Sequence, residues 1–159
     1  MVPEKRLRQL AGVGIEMAAL ATEYDALFLK AAQEVRVMTG AAYSSLGLVE
    51  GETIHWLAAD GKPIEEVRGY RQPISEGLCG WVVRRGRSRR TGNVSGEADY
   101  YEQYAEMQSE LDVPIKVGEQ VLGVLSVESP IARTFTAEHE HLMEVVAQFV
   151  AIALAAGNR

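Results

Sequence analysis

The chain has 159 residues, a formal net charge of −6 and one cysteine, Cys79. That length suits a single domain over 1–159, large enough to bury roughly 70% of its unfolded surface without metal or disulfide, and the acidic balance argues against broad binding to nucleic acid or an anionic membrane. One cysteine excludes an internal disulfide and points to a reducing, cytoplasmic setting; no unbroken run of about 18 apolar residues is present to span a bilayer, and the charged opening Val2-Pro-Glu-Lys-Arg-Leu-Arg8 lacks the apolar core of a secretion signal.

Residues 4–21 read as a helix. Thr22 reads as the cap of a second, with Asp25 in its first turn, running to about Met38 before Thr39-Gly40 stops it. An apolar seam Leu10, Val13, Met17, Leu20, Tyr24, Leu27 alternates steps of three and four, the mark of helix-on-helix packing. Strands are expected at Ala42–Val49, Thr53–Ala59 and Val67–Pro73, the first two joined by Glu50-Gly51-Glu52. Ser75 reads as the cap of a short helix that Gly86 ends, and a second short helix is expected from Ala98 to Met107.

The next segment is the most informative. In Ser109–Ile115, Leu111, Val113 and Ile115 share one face and Glu110, Asp112 and Pro114 the other. Lys116 to Gln120 supplies a turn, with Gly118 free to take positive φ. In Val121–Ser129, Leu122 and Val124 point one way and Val121, Leu125 and Val127 the other, as in a central strand covered on both sides. Ser126 and Glu128 continue the Leu122/Val124 row, so two polar groups end an apolar stripe, a common lining for a small-molecule pocket. Thr136 then caps a last helix with Glu138 in its first turn and a seam Leu142, Val145, Phe149, Ile152, Ala156. The order predicts an α+β domain: helices over 4–39, an antiparallel sheet of about five to six strands with short helices over 42–129, and a closing helix over 136–157. The terminal seams either pack on the domain's own sheet or pair with a second copy.

Other chemistry is thinly represented. Cys79 at the start of a helix is either a thiol activated by the helix dipole or a small buried hydrophobe. Tyr100, Tyr104 and Met107 share a helical face, an aromatic stripe that either packs on the sheet or covers a pocket, and Trp56 and Tyr70 on neighbouring strands would supply an aromatic wall. The cluster Arg84, Arg85, Arg87, Arg89 and Arg90 suits a solvated helix end, with an acidic or phosphate partner as the alternative. His139 and His141 lie two apart on a helix and cannot share a metal, and His55 is isolated, so neither metal nor cofactor is expected.

Several segments in this order resemble the GAF domain family: the two-part N-terminal helix, Gly77-Leu-Cys-Gly80 followed by Trp81-Val-Val, Arg87-Ser-Arg-Arg-Thr-Gly-Asn93, the Ser109–Ile115 and Val121–Leu125 strands, and Phe135-Thr-Ala-Glu-His139. The resemblance implies a central antiparallel sheet, terminal helices on one face and a pocket on the other. It implies a regulatory, small-molecule-binding sensor in signal transduction, dimeric through its terminal helices and coupled to an output domain or partner protein. The expected ligand contacts are Trp56, Tyr70, Cys79, Tyr100, Tyr104, Glu110, Ser126 and Glu128. The chain is also similar to the catalytic branch of free methionine-(R)-sulfoxide reductases, at Cys79, where that branch keeps its resolving cysteine, and at Glu110 and Glu128, where it keeps acids for the substrate's amino group. It departs at Ser126, where an Asp is expected, and at Gln103, where the attacking cysteine would stand. The alternatives are thus a degenerate or thiol-dependent reductase, or a dimerisation module without ligand.

Overall fold

In a computed structural model, which describes residues 2–66, 69–97 and 106–157, four helices flank one six-stranded sheet. The helices are α1 (Glu4–Ala19), α2 (Tyr24–Thr39), α3 (Gly77–Arg85) and α4 (Ala137–Gly157). The strands are β1 (Tyr43–Glu50), β2 (Thr53–Asp60), β3 (Arg71–Pro73), β4 (Arg89–Thr91), β5 (Ser109–Val117) and β6 (Gln120–Ser129). Their order across the sheet is β3-β2-β1-β6-β5-β4, antiparallel at every pairing. β6 and β1 are therefore central, as the two-sided apolar pattern of β6 requires.

The sheet divides two cores. On one side α1, α2 and α4 bury Met17, Leu27, Val35, Met143, Val146 and Val150 against Leu46, Leu111, Val113, Ile115, Leu125 and Val127. On the other α3 lays Cys79, Val82 and Val83 against Ile54, Trp56, Ala59 and Val124. Truncating one of the large side chains in either core costs about 2–5 kcal/mol. Ser44 Oγ ties the layers by donating to the buried carbonyl of Ala32 at 2.6 Å. Arg36 Nε bonds the carbonyl of Ala42 at 3.0 Å and its Nη1 reaches Asp60 at 3.3 Å, pinning the end of α2 to the start of β1.

Several local expectations give way to packing. Thr22 is not the cap of α2: Glu23 holds that position without a side-chain bond, because backbone bonds from Leu20 to Met17 and from Glu23 to Leu20 close the preceding turn. That turn breaks the first seam, leaving Leu20 half-buried and Tyr24 exposed, its ring stacked on Phe28 at 5.8 Å. Glu76, not Ser75, precedes α3, again without a side-chain cap. β3 is only Arg71–Pro73, and of the helix expected over Ala98–Met107, residues 98–105 lie outside the described residues; the flanks hold a 3-10 turn at Val94–Gly96 and a buried Met107. In the last helix Met143, Val146, Ala147 and Val150 make the buried face, whereas Val145 and Ile152 of the expected seam are exposed. By length and composition α4 could cross a membrane, but here it packs on β5 and on both other long helices.

The faces of β6 also shift. Ile115 pairs with Gly123 but Lys116 pairs with Val121, so Leu122 is the extra residue of a bulge. The bulge turns Leu122 to the helix side and Val121 to the α3 side, the reverse of strict alternation. It sits at Gly123, where an added Cβ would run into the carbonyl of Gly47. Gly123→Ala is expected to destabilise the domain by about 1–3 kcal/mol, read as a lower urea midpoint; an unchanged midpoint would contradict this packing.

Candidate functional site

On the α3 side of the sheet the pairing Glu110↔Glu128 and Asp112↔Ser126 sets four polar side chains in two adjacent cross-strand pairs. Strand periodicity alone puts 110, 112, 126 and 128 on one face, and the bulge lies beyond them, so this register is undisturbed. Across β1 the row continues through Ser45, which pairs with Ser126. Of these, Ser45, Glu110, Ser126 and Glu128 meet Trp56 from β2, Gln72 from β3 and Leu78 and Cys79 from α3 around one cavity of about 20 Å³, room for about one water among the described residues, while Asp112 lies behind it against Cys79. Gln72 is held by its amide donating to the carbonyl of Glu76 at 3.0 Å.

The cavity is secluded and acidic. Glu110 is 5% exposed, Ser126 3% and Asp112 0%. The Cys79 thiol donates to Asp112 Oδ1 at 3.3 Å. Among the described residues Asp112 Oδ2, Glu128 Oε2 and Trp56 Nε1 are buried without a hydrogen-bond partner. Such groups cost about 1–3 kcal/mol each, and more when charged.

Burial is the largest influence on every ionisable group here. It pushes Glu110 well above the usual carboxylate range, with the neighbouring Asp112 charge adding to it. It raises Asp112 too, against the pull of nearby Glu110, Ser126 and Cys79. It carries Glu128 up to about 7, Lys62 opposing and Asp112 reinforcing. Lys62, itself 9% exposed, is lowered by burial and held partly up by Glu128. Among the described residues Lys62, and toward Asp112 also Arg89, oppose the burial of these three carboxylates.

Cys79 does sit in the first turn of α3, but the helix dipole does not activate it. Burial, then Asp112 and Glu110, push its thiol well above the ordinary value. Of the residues expected from the sequence, Trp56, Cys79, Glu110, Ser126 and Glu128 line the same cavity. Tyr70 packs on the same apolar cluster without lining it, and Tyr100 and Tyr104 lie outside the described residues. Asp112, Lys62, Ser45 and Gln72 were missed. Asp112 was detectable, because it shares the Glu110 face; Lys62 sits in a loop with no periodic pattern.

The basic cluster is a separate feature. Arg85, Arg87 and Arg89 stand 6.0, 5.6 and 4.9 Å from the centre of the half-buried Trp81 ring, and Arg89 pairs with Glu97 at 2.7 Å.

A profile of the GAF domain matches residues 21–155. The free methionine-R-sulfoxide reductase of Escherichia coli is 30% identical over 112 residues, 70% of this chain and 66% of that protein. Protein YtsP of Bacillus subtilis is 31% identical over 85 residues, 54% of this chain and 52% of its own. The chain thus spans just under two thirds and about half of these relatives. The GAF domain of an Acinetobacter phosphoenolpyruvate-protein phosphotransferase superposes with a TM-score of 0.86 over 99% of this chain and 96% of that one, at 20% identity, a likeness of fold.

Glu128 holds its proton more tightly folded than unfolded, from an ordinary value of 4.5 to about 7. The folded state therefore binds more protons across that interval, and the stability linked to this group is full below the unfolded value and lost as pH rises through the folded one. Thermal midpoints of chelator-treated protein should fall from about pH 5 to about pH 8, and Glu128→Gln should flatten that fall. An identical pH profile in the variant would contradict the burial of this carboxyl.

Proposed function

The chain belongs to the GAF domain family, and on that footing we propose that it is a regulatory domain whose cavity, with room for about one water as it stands, opens to receive a small metabolite bearing a cationic group, a primary ammonium above all. The observation that carries this reading is the row of buried carboxylates with oxygens left unpartnered, Glu128 Oε2 foremost. An ammonium offers three donors and a positive charge, which are what those oxygens lack. Glu110, Ser126 and Glu128 meet the polar end of the ligand, and Trp56 walls its apolar part. Ligand capture shifts α1 and α4, which carry the signal to a second copy of the chain, an output domain or a partner protein in the cytoplasm. Such a signal requires the ligand to favour one arrangement of those helices over another.

A catalytic reading draws on the similarity to the Escherichia coli reductase and on Cys79. Sulfoxide reduction needs a thiolate to attack sulfur and a second thiol to release it. Here the single cysteine is buried with its proton held on, so any turnover would depend on an external thiol.

A thermal-shift panel of primary-amine metabolites, free methionine sulfoxide included, is expected to yield stabilisation of about 2.7 kcal/mol at a hundredfold excess over Kd. The gain should be lost in Glu128→Gln. It should grow as pH rises through about 7, because a cation binds the deprotonated carboxyl and must displace its proton. Stabilisation indifferent to both would place the ligand elsewhere. Turnover of free methionine sulfoxide with an external thiol, abolished in Cys79→Ser, would instead establish the enzyme.

A further inference from the structure

Beside Glu110, which the amine reading also uses, Cys79 and Asp112 bring a second kind of chemistry to the edge of the cavity. The Cys79 sulfur and one carboxylate oxygen each from Glu110 and Asp112 lie within 4.8 Å of one another, all three residues buried. We propose that Cys79, Glu110 and Asp112 form a binding site for a divalent transition-metal ion of the zinc or cobalt type, with a fourth position open to the cavity.

Spacing supports the assignment. In a tetrahedral site with metal–sulfur bonds of about 2.3 Å and metal–oxygen bonds of about 2.0 Å, neighbouring ligand atoms lie about 3.5 Å apart. Cys79 Sγ and Asp112 Oδ1 already stand at 3.3 Å. An independent observation points the same way. Asp112 is 0% exposed, and its Oδ2 is a buried oxygen without a hydrogen-bond partner among the described residues.

Ligand type narrows the metal. One thiolate with two carboxylates is too soft and too few for calcium or magnesium, which take about six or more oxygens, and suits zinc or cobalt. The fold holds the set rigidly: Glu110 and Asp112 are alternate residues of β5, inside a sheet, and Cys79 is fixed by α3 packing on β5 and β6. The 20 Å³ cavity, lined by Cys79 and Glu110, leaves space for a water on the open position. Binding replaces the protons held on the ligands: the Cys79 S–H bond and the Glu110 carboxyl O–H bond break, sulfur–metal and oxygen–metal bonds form, and the displaced protons pass to solvent. No oxidation state changes. Glu110 is shared with the amine proposal, whereas Cys79 and Asp112 serve the metal alone and Glu128, Ser126 and Trp56 the organic ligand alone, so variants at 79 and 112 test the metal site and a variant at 128 tests the amine site.

The test uses the full chain stripped with chelator and titrated with Co²⁺ alone. A thiolate-to-cobalt charge-transfer band in the near ultraviolet, with the visible bands of a four-coordinate ion, should saturate at one equivalent and vanish in Cys79→Ser. Competition of Zn²⁺ against a chromophoric chelator should show at least about a tenfold loss of affinity in Asp112→Asn, with no change in the exposed control Glu119→Gln. Absence of a thiolate band in the wild-type protein at saturating Co²⁺ would overturn the proposal, and it needs no variant to fold. Zn²⁺ binding that persists undiminished in both Cys79→Ser and Asp112→Asn would overturn it too, by placing the ion on the surface.

Discussion

Glu110 and Asp112 on one strand, both buried, and Glu128 on the next, half-buried with its Oε2 shut off from water, are brought together by the register and the two-residue period of an antiparallel pair. Burying like charges side by side is among the costliest arrangements a small domain can adopt. The surroundings answer that cost only in part. Burial holds protons on Glu110 and Glu128, Lys62 leans in from its loop, and Cys79 donates to Asp112. What is left over is an appetite for a cation, and both the ammonium and the metal readings are ways of meeting it.

The rest of the fold makes such an arrangement tolerable. Three long helices bury the larger of the two cores on the opposite face, so most of the apolar packing lies away from the acidic rows. The bulge at Leu122 lets β6 bend where it passes Gly47 and Gly123, beyond the acidic rows rather than within them. Ser126 and Glu128 thus keep strict alternation while Val121 and Leu122 exchange sides. In this member of the GAF domain family the sheet thus carries the larger core on one face and the acidic rows on the other.

The architecture was largely legible in the sequence because it rests on periodicity. The alternation at Leu111, Val113 and Ile115 and the unbroken apolar run of β6 specified a sheet covered on both sides, and the row 110, 126, 128 followed from register. What escaped has physical causes. Thr22 and Ser75 have the chemistry of helix caps, but backbone turns and an extended Glu76 met the need first. The bulge could not be read because its signal is a close approach between Gly123 and a distant Gly47. The seam on α4 was misplaced by about one residue's rotation, since a helix rich in alanine and valine all round does not announce its buried face. The Cys79–Asp112 contact joins residues 33 apart, and no local pattern reports it.

The account is tested most directly by titrating the side-chain carboxyl carbons of Glu110, Asp112 and Glu128 by ¹³C NMR in the ligand-free protein. It predicts a midpoint for Glu128 near 7 and displaced midpoints, above the ordinary range, for Glu110 and Asp112. Three unexceptional curves centred near about 4, as for carboxylates in water, would mean that the site is wet and its charges relaxed, and the demand for a cation on which the account turns would not exist.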